Sequence, residues 1–512
     1  MRTLELIFTI FLFLLIFLYL IAGQRIDSFS IVRHIVYSVN GSAVVFAILS
    51  TCFEGFRVAM LPLYLLSLIL SSIEVVKMLS LNTYRSNQAK ENPVLIKTKT
   101  KKKRCNLRVF GNSLLCVTFL VSSILTWFLP VNNFPKPSGS SKVGTVIMDF
   151  TNPSRTNILT LTKESQKIAV QIWYPADDIK GKKRANWINN RKVASLFAKR
   201  MGLPDIFGQL CMVKTNSYFN APISTESEKY SVVLFSGGGF MFNGQNVRQM
   251  EELASNGIIV VSVSHPEDDF ATIYSDGTVL SYDIQLRNAL NNDMSQAINY
   301  IKAKYCTDDA TPEMQRDMIM AAKMWNENVR LWAEDFSSIA DQIEKMNDGS
   351  IDSIFKGKMD TSQFGVFGHS FGGAAAGQLC LNDDRFKAFI NIDGTPFGDT
   401  VNQTINKPFM IIETGLDSGV KFRASDGYSI GQRNYMVVSV NGAKHMNFTD
   451  LNSIVPRIGK SFRILGNIDI NKQAKILNTY VLAFFNQYLE GKSEKILESK
   501  EVHFSEVDIT QR

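Results

Sequence analysis

The sequence predicts an α/β domain whose mostly parallel sheet is covered by helices on both faces, preceded by about four membrane-spanning helices. Three observations carry that expectation. Four apolar stretches crowd the first quarter of a 512-residue chain. From about residue 145 short β-rich runs alternate with longer helical patterns, as in a helix-covered parallel sheet. One of those runs ends in the turn Gly-His-Ser-Phe-Gly, residues 368–372, and is followed by small residues.

The membrane region, 1–130, comes first. Residues 6–22 are almost unbroken apolar sequence, and 58–76 and 111–129 are of similar length. A bilayer core takes about 20 helical residues. The fourth stretch, 35–53, is the weakest, because Ser38, Asn40 and Ser42 interrupt it. The small residues at Ile21-Ala22-Gly23 also suit a cleaved leader, but Glu5 beside a single Arg2 makes a poor basic start for one.

Loop charge orients the spans, since Lys/Arg-rich short loops stay cytoplasmic. Residues 1–135 hold 14 Lys/Arg against 5 Asp/Glu, and the remainder is nearly balanced, so the net charge of +8 belongs to the N-terminal quarter. Much of it falls in 90–104, within a basic loop expected at 77–108 and expected to be cytoplasmic. Everything after the last crossing then lies on the extracytoplasmic side of the cell membrane. Charge crowded into one loop does not suit a nucleic-acid surface, which needs it spread over a folded face.

Residues 131–142 have the Pro/Gly/Ser composition of a linker. The domain beyond is expected at 143–495, with a polar tail at 496–512. Strands are expected at 168–174, 231–235, 258–263, 364–367, 388–392, 409–414 and 435–440, several of them continuously apolar as strands buried on both faces must be. Helical sequence rich in Met and Trp, 285–347, is inserted before the fourth of these, either as a lid over an apolar ligand or as core. Residues 476–489 read as a closing helix.

No CxxC pair or Cys/His spacing suggests a metal, and no GxxxxGK[ST] run suggests phosphate binding, so neither metal nor cofactor is expected. Cys211, Cys306 and Cys380 read as three small buried residues, with one disulfide among them as the alternative.

The chemistry centres on Ser370. Strand, sharp turn and small-residue helix form the context of a nucleophile elbow, in which a strained Ser exposes its hydroxyl and glycines let strand and helix approach. A serine needs a base and an orienting acid, in the chain order Ser, acid, His. His445, directly after the strand 435–440, is the expected base, and His503 in the charged tail the lesser candidate. Two carboxylates follow strands in the right interval, Asp393 and Asp417, and spacing leaves the choice open; Asp399 reads as a turn residue. Phe371 supplies one oxyanion amide, and the glycine run 237–239 after the strand 231–235 supplies another, at Gly239 or next to it at Gly238.

The runs Gln171-Ile-Trp-Tyr-Pro, Val233-Leu-Phe-Ser, Gly368-His-Ser-Phe-Gly-Gly, Ile392-Asp-Gly and His445-Met-Asn-Phe-Thr-Asp resemble the platelet-activating-factor acetylhydrolase family of α/β-hydrolases, over roughly 143–495. The resemblance implies Asp393 as the acid, with Asp417 the alternative. It implies oxyanion amides at Phe371 and Gly239, and calcium-independent hydrolysis of short or oxidised acyl esters, a lipid or small-ester substrate. Members commonly carry His-Gly where Ser236 is here followed by Gly237-Gly238, which implies a more flexible loop. The N-terminal region, with Glu54-Gly55-Phe56-Arg57 leading into a span containing Pro62, is similar to that of bacterial relatives. Two other activities fit the same parts: acyl transfer to an envelope alcohol, and ligand sensing without catalysis.

Overall fold

The computed structural model describes residues 2–22, 30–88, 101–128, 131, 133–200, 205–306, 310–419, 422–428, 435–498 and 503–511. They fall into two compact units, one of Met1–Asn132 with Gly202–Met212, the other of Asn133–Met201 with Val213–Arg512.

The first unit holds helices α1 (Thr3–Ala22), α2 (Ser30–Leu49), α3 (Leu61–Gln88) and α4 (Lys101–Phe128). Among the described residues four segments are long and apolar enough to cross a membrane: Thr3–Ile21, Ser30–Glu54, Val58–Leu79 and Gly111–Phe128. The polar residues that weakened the second in sequence do not break it, because Asn40 is buried and its side chain accepts from Ser71 on α3. Phe8, Leu12, Leu15, Val36, Met60 and Leu63 pack between the helices. Glu5 and Arg57 are buried as an ion pair at 2.8 Å, and Arg57 also donates to Thr126 O and Gln209 Oε1. Charges in apolar surroundings persist only when paired in this way.

The basic segment expected as a loop over 77–108 differs from that expectation. Helix α3 continues to Gln88 and α4 already begins at Lys101, since Lys and Arg are good helix formers; residues 89–100 lie outside the described residues.

The second unit is built on one eleven-stranded sheet, in the order β13-β12-β11-β10-β9-β5-β6-β2-β1-β4-β3. The strands are β1 (Lys142–Thr156), β2 (Lys163–Ala176), β3 (Arg184–Asn186), β4 (Lys214–Phe219), β5 (Tyr230–Ser236), β6 (Ile258–Val263), β9 (Met359–His369), β10 (Phe386–Ile392), β11 (Phe409–Thr414), β12 (Tyr435–Val440) and β13 (Val507–Gln511). A separate small hairpin pairs β7 (Ala271–Ile273) with β8 (Val279–Ser281). From β6 through β5, β9, β10 and β11 to β12 the pairing is parallel. The chain places β5 and then β6 on one side and returns to lay β9 on the other. The edge of β5 and β9 is therefore a topological switch point, where open α/β sheets leave a crevice at the carboxyl ends of the strands.

Helices α5 (Arg191–Arg200), α6 (Val247–Ser255), α7 (Ile284–Tyr305), α8 (Pro312–Ala321), α9 (Lys323–Asp348), α10 (Phe371–Asn382), α11 (Leu451–Ile454), α12 (Pro456–Ser461), α13 (Ile470–Tyr488) and α14 (Lys495–Glu498) complete the unit. Helix α9 turns Val329, Trp332, Phe336, Ile339, Ile343 and Met346 inward at helical spacing. They join Val232, Leu234, Phe364 and Val366 of the sheet in one core. On the opposite face α13 seats Phe485 over Gly365, where an added Cβ would lie 2.7 Å from its ring.

Helix α9 is thus core rather than a lid, while α7 and α8 carry exposed Ile284, Tyr300 and Met320. The tail expected to be merely polar contributes β13, which runs antiparallel to β12 at the sheet edge; alternation in a five-residue strand is masked there by charged neighbours. The cysteines also depart from expectation: Cys380 is buried, but Cys306 is exposed at the left-handed end of α7, and both are free thiols.

Candidate active site

Three neighbouring strands and one further out bring the expected residues to the sheet's C-terminal edge. Strand β9 ends at His369, and Ser370 takes φ 55° and ψ −123° before α10 starts at Phe371. A positive φ at a residue other than glycine is strained. It is held here by Ser370 N–H donating to Ile392 O at 2.8 Å and by Gly373 N–H donating back to Ser370 O at 2.9 Å. The glycines around it are required by contact. An added Cβ would lie 2.2 Å from the Gly372 backbone at Gly368, 2.3 Å from Gly237 O at Gly372, and 2.0 Å from Ser370 O at Gly394.

Asp393 follows β10, also with positive φ, at 53°. Asn391 closes its turn, its Oδ1 accepting from Gly394 N–H and its amide donating to Gly394 O, both at 2.8 Å. Asp393 Oδ1 accepts from Thr414 N–H at 2.9 Å, which leaves Oδ2 for His445 Nδ1 at 2.7 Å. A carboxylate only accepts, so Nδ1 carries a proton, and in the neutral ring that leaves Nε2 with its lone pair. The His445 side chain is 44% exposed against 9% for Asp393, so the imidazole can be reached while its partner is screened.

Asp417, the alternative acid, is exposed and accepts from the amide of Gly442 at 2.8 and 3.1 Å. The structure therefore brings Asp393, and not Asp417, to His445. His503 is exposed in the turn before β13. Asp399 is ion-paired with Arg330 at 2.7 Å, which holds its carboxyl below the usual range.

The glycine loop after β5 runs beside the elbow. An added Cβ on Gly238 would lie 3.1 Å from Ser370 Cβ, and one on Gly239 3.5 Å from Phe371 Cβ. The Gly238 N–H is engaged, donating to Gln245 Oε1 at 2.9 Å. Gln245 then donates through Nε2 to His369 Nδ1 at 2.8 Å, and His369 Nε2–H donates to His445 O at 3.1 Å. Far from being loose, the loop is tied by one buried side chain to the elbow and to the loop that carries His445. Burial, reinforced by His445 alongside, holds His369 well below the usual histidine range, so its ring is neutral. Sequence reasoning missed Gln245 and gave His369 no role beyond filling the motif; nothing in the local pattern marks a glutamine that bridges three segments.

Trp325 stacks on Phe397 at 5.2 Å and meets Phe371 edge-on at 5.2 Å, forming an aromatic wall at the start of α10. Groups of three or more His, Cys, Asp or Glu side chains arranged to hold a metal do not occur among the described residues.

The sequence model of the family described as platelet-activating factor acetylhydrolase, isoform II, matches residues 128–502. Platelet-activating factor acetylhydrolase of Cavia porcellus is 25% identical over 337 residues, covering 64% of this chain and 73% of that protein. The Canis lupus familiaris protein of the same name is 24% identical over 410 residues, with 73% and 84% covered. A probable 1-alkyl-2-acetylglycerophosphocholine esterase of Arthroderma benhamiae is 26% identical over 165 residues, 28% of this chain and 43% of that protein. Among solved structures, a ferulic acid esterase from Streptomyces cinnamoneus superposes with a TM-score of 0.56 at 21% identity, over 75% of this chain and 100% of that one.

Proposed function

Since this chain belongs to the platelet-activating factor acetylhydrolase isoform II family and is a carboxylic ester hydrolase, we propose that it cleaves short-chain acyl or phospholipid-type esters through Ser370, His445 and Asp393. The observation that carries this reading is the 2.7 Å hydrogen bond from His445 Nδ1 to Asp393 Oδ2, beside a serine held at φ 55°.

In the proposed reaction Ser370 Oγ attacks the ester carbonyl carbon while His445 Nε2 takes its proton. Asp393 keeps the imidazole in the reactive tautomer and stabilises the imidazolium that forms. The amides of Phe371 and Gly239 receive the charge that develops on the carbonyl oxygen, aided by the N-terminal end of α10. Engagement of the Gly238 amide by Gln245 supports Gly239 as the second donor. Collapse of the tetrahedral intermediate breaks the bond to the leaving alcohol, which takes the proton from His445, and leaves an acyl-Ser370. Water, deprotonated by His445, then releases the acid and restores the serine.

The preference for acetyl-type esters rests on the names of the relatives. For localisation, four apolar helices support an integral membrane protein, and the basic residues between the third and fourth spans support a hydrolase domain on the extracytoplasmic side.

The test is hydrolysis of esters of graded acyl length, together with a phospholipid series, by wild type and Ser370→Ala. Cleavage falling off with acyl length and absent in the variant supports the reading. Ester hydrolysis retained by folded Ser370→Ala overturns it.

A further inference from the structure

Behind the glycine loop lies a second chain of Ser, His and Asp that the proposed reaction does not use. Ser236, the last residue of β5, has its Oγ 3.0 Å from His265 Nε2, and His265 Nδ1 is 2.9 Å from Asp335 Oδ2. Arg155 completes it, donating to the two Asp335 oxygens at 2.8 and 3.1 Å. Ser236, His265 and Asp335 are at most 1% exposed, so no ester reaches them and the cluster is no second nucleophile.

Its chemistry is that of a fixed support. Burial holds His265 below the usual histidine range, and Arg155 helps keep Asp335 ionised. The imidazole is then neutral, with its proton on Nδ1 facing Asp335. Nε2 is an acceptor, and the Ser236 hydroxyl donates to it. Asp269 Oδ2 accepts from the His265 backbone N–H at 2.9 Å, so the backbone is held as well as the ring.

Two contacts give the cluster its direction. Through Ser236, His265 grips the residue that opens the loop 237–239. On its other side the His265 ring lies flat against Trp332, with centroids 3.7 Å apart and planes 8° apart. Trp332 is itself fixed by donating to Asp268 Oδ2 at 2.8 Å, and it meets Phe371 edge-on at 4.7 Å. The loop and Phe371 carry the two proposed oxyanion amides, on segments more than a hundred residues apart in the sequence.

We propose that His265 is a positioning residue that sets the spacing of the oxyanion hole by holding Ser236 on one side and, through Trp332, Phe371 on the other. The inference rests on the assignment of those amides in the preceding section. Oxyanion donors work because they are preorganised, and a misplacement near 1 Å costs about 100-fold in rate.

The experiment uses the full chain in detergent, comparing wild type, His265→Gln, Ser236→Ala and Ser370→Ala. It reads kcat, KM, melting temperature and inhibition by a trifluoromethyl ketone, whose hemiketal places an oxyanion in the hole. His265→Gln and Ser236→Ala are expected to lower kcat by about 10- to 100-fold at unchanged KM and to weaken the ketone by the same factor. Either folded variant keeping wild-type kcat and ketone affinity would overturn the proposal, as would a kcat loss without a matching loss of ketone affinity. If His265→Gln does not fold, Ser236→Ala, which removes one hydroxyl, decides. If neither folds, the cluster serves the core alone and the proposal falls. Failure of the underlying reading appears on a separate arm, as activity retained in Ser370→Ala.

Discussion

His445 Nδ1 lies 2.7 Å from Asp393 Oδ2, whereas both oxygens of Asp417 face the amide of Gly442. The two carboxylates follow adjacent strands and look alike in sequence, yet only one meets the imidazole. Asp393→Asn is therefore expected to reduce kcat by roughly 10⁴-fold through loss of the reactive tautomer. Asp417→Asn should leave kcat within a few-fold of wild type and lower only the melting temperature. Steady-state kinetics on one short-chain ester separates them, and the reverse pattern would make Asp417 the acid.

The glycines beside Ser370 are not equivalent. At Gly372 an added Cβ would lie 2.3 and 2.4 Å from the carbonyl oxygens of Gly237 and Ser236, backbone that cannot swing aside. Gly372→Ala should destabilise the domain by about 3 kcal/mol. At Gly239 the nearest atom is 3.5 Å away, an ordinary contact. Gly239→Ala keeps its backbone N–H, so it should fold normally and retain activity within about tenfold, well short of the loss expected on removing an oxyanion donor. Thermal melts and kcat on the pair check both statements.

Acid should weaken the fold through its buried histidines. His265 and His369 both lie below the usual range, chiefly by burial. The unfolded chain takes up protons at these sites near pH 6.5 and the folded one does not. Their contribution is therefore complete above that pH and is lost as pH falls toward the depressed folded values. Buried carboxylates held above their usual range, Asp269 and Asp450 among them, act in the opposite sense, so the histidine contribution is read as a difference: from pH 7 to pH 5 wild type should lose more melting temperature than His369→Gln. An unchanged slope would show that His369 titrates alike in both states.

Under the proposed topology Cys306, exposed at the end of α7, faces the outside. A membrane-impermeant maleimide should modify the Cys306 peptide in intact cells, with the signal lost in Cys306→Ser. Modification only after permeabilisation would invert the orientation. Cys380, buried and with its thiol pushed up to about 12, should resist the reagent until the protein unfolds.

Much of this molecule is legible in its sequence, for identifiable reasons. Buried parallel strands such as β5 and β11 are continuous apolar runs, and the elbow is a local motif whose glycines answer contacts within a few residues. Other parts depend on partners far along the chain. Strand β1 alternates irregularly because its exposure varies along a long antiparallel pairing with β2, and β13 is a strand only because β12 offers it an edge. The choice of Asp393 needed a resemblance, because turn direction after a strand leaves no periodic trace. Gln245 and the group Arg155, His265 and Asp335 act across separations of 70 to 180 residues, and no local pattern announces them.

The central claim, that Ser370 attacks and carries the acyl group, is tested most directly by reacting the purified full chain with a fluorophosphonate and mapping the adduct by peptide mass spectrometry. The account predicts one adduct, on Ser370, formed in step with loss of esterase activity and absent from Ser370→Ala. An adduct on another residue, or full inactivation of Ser370→Ala by the same reagent, would contradict it.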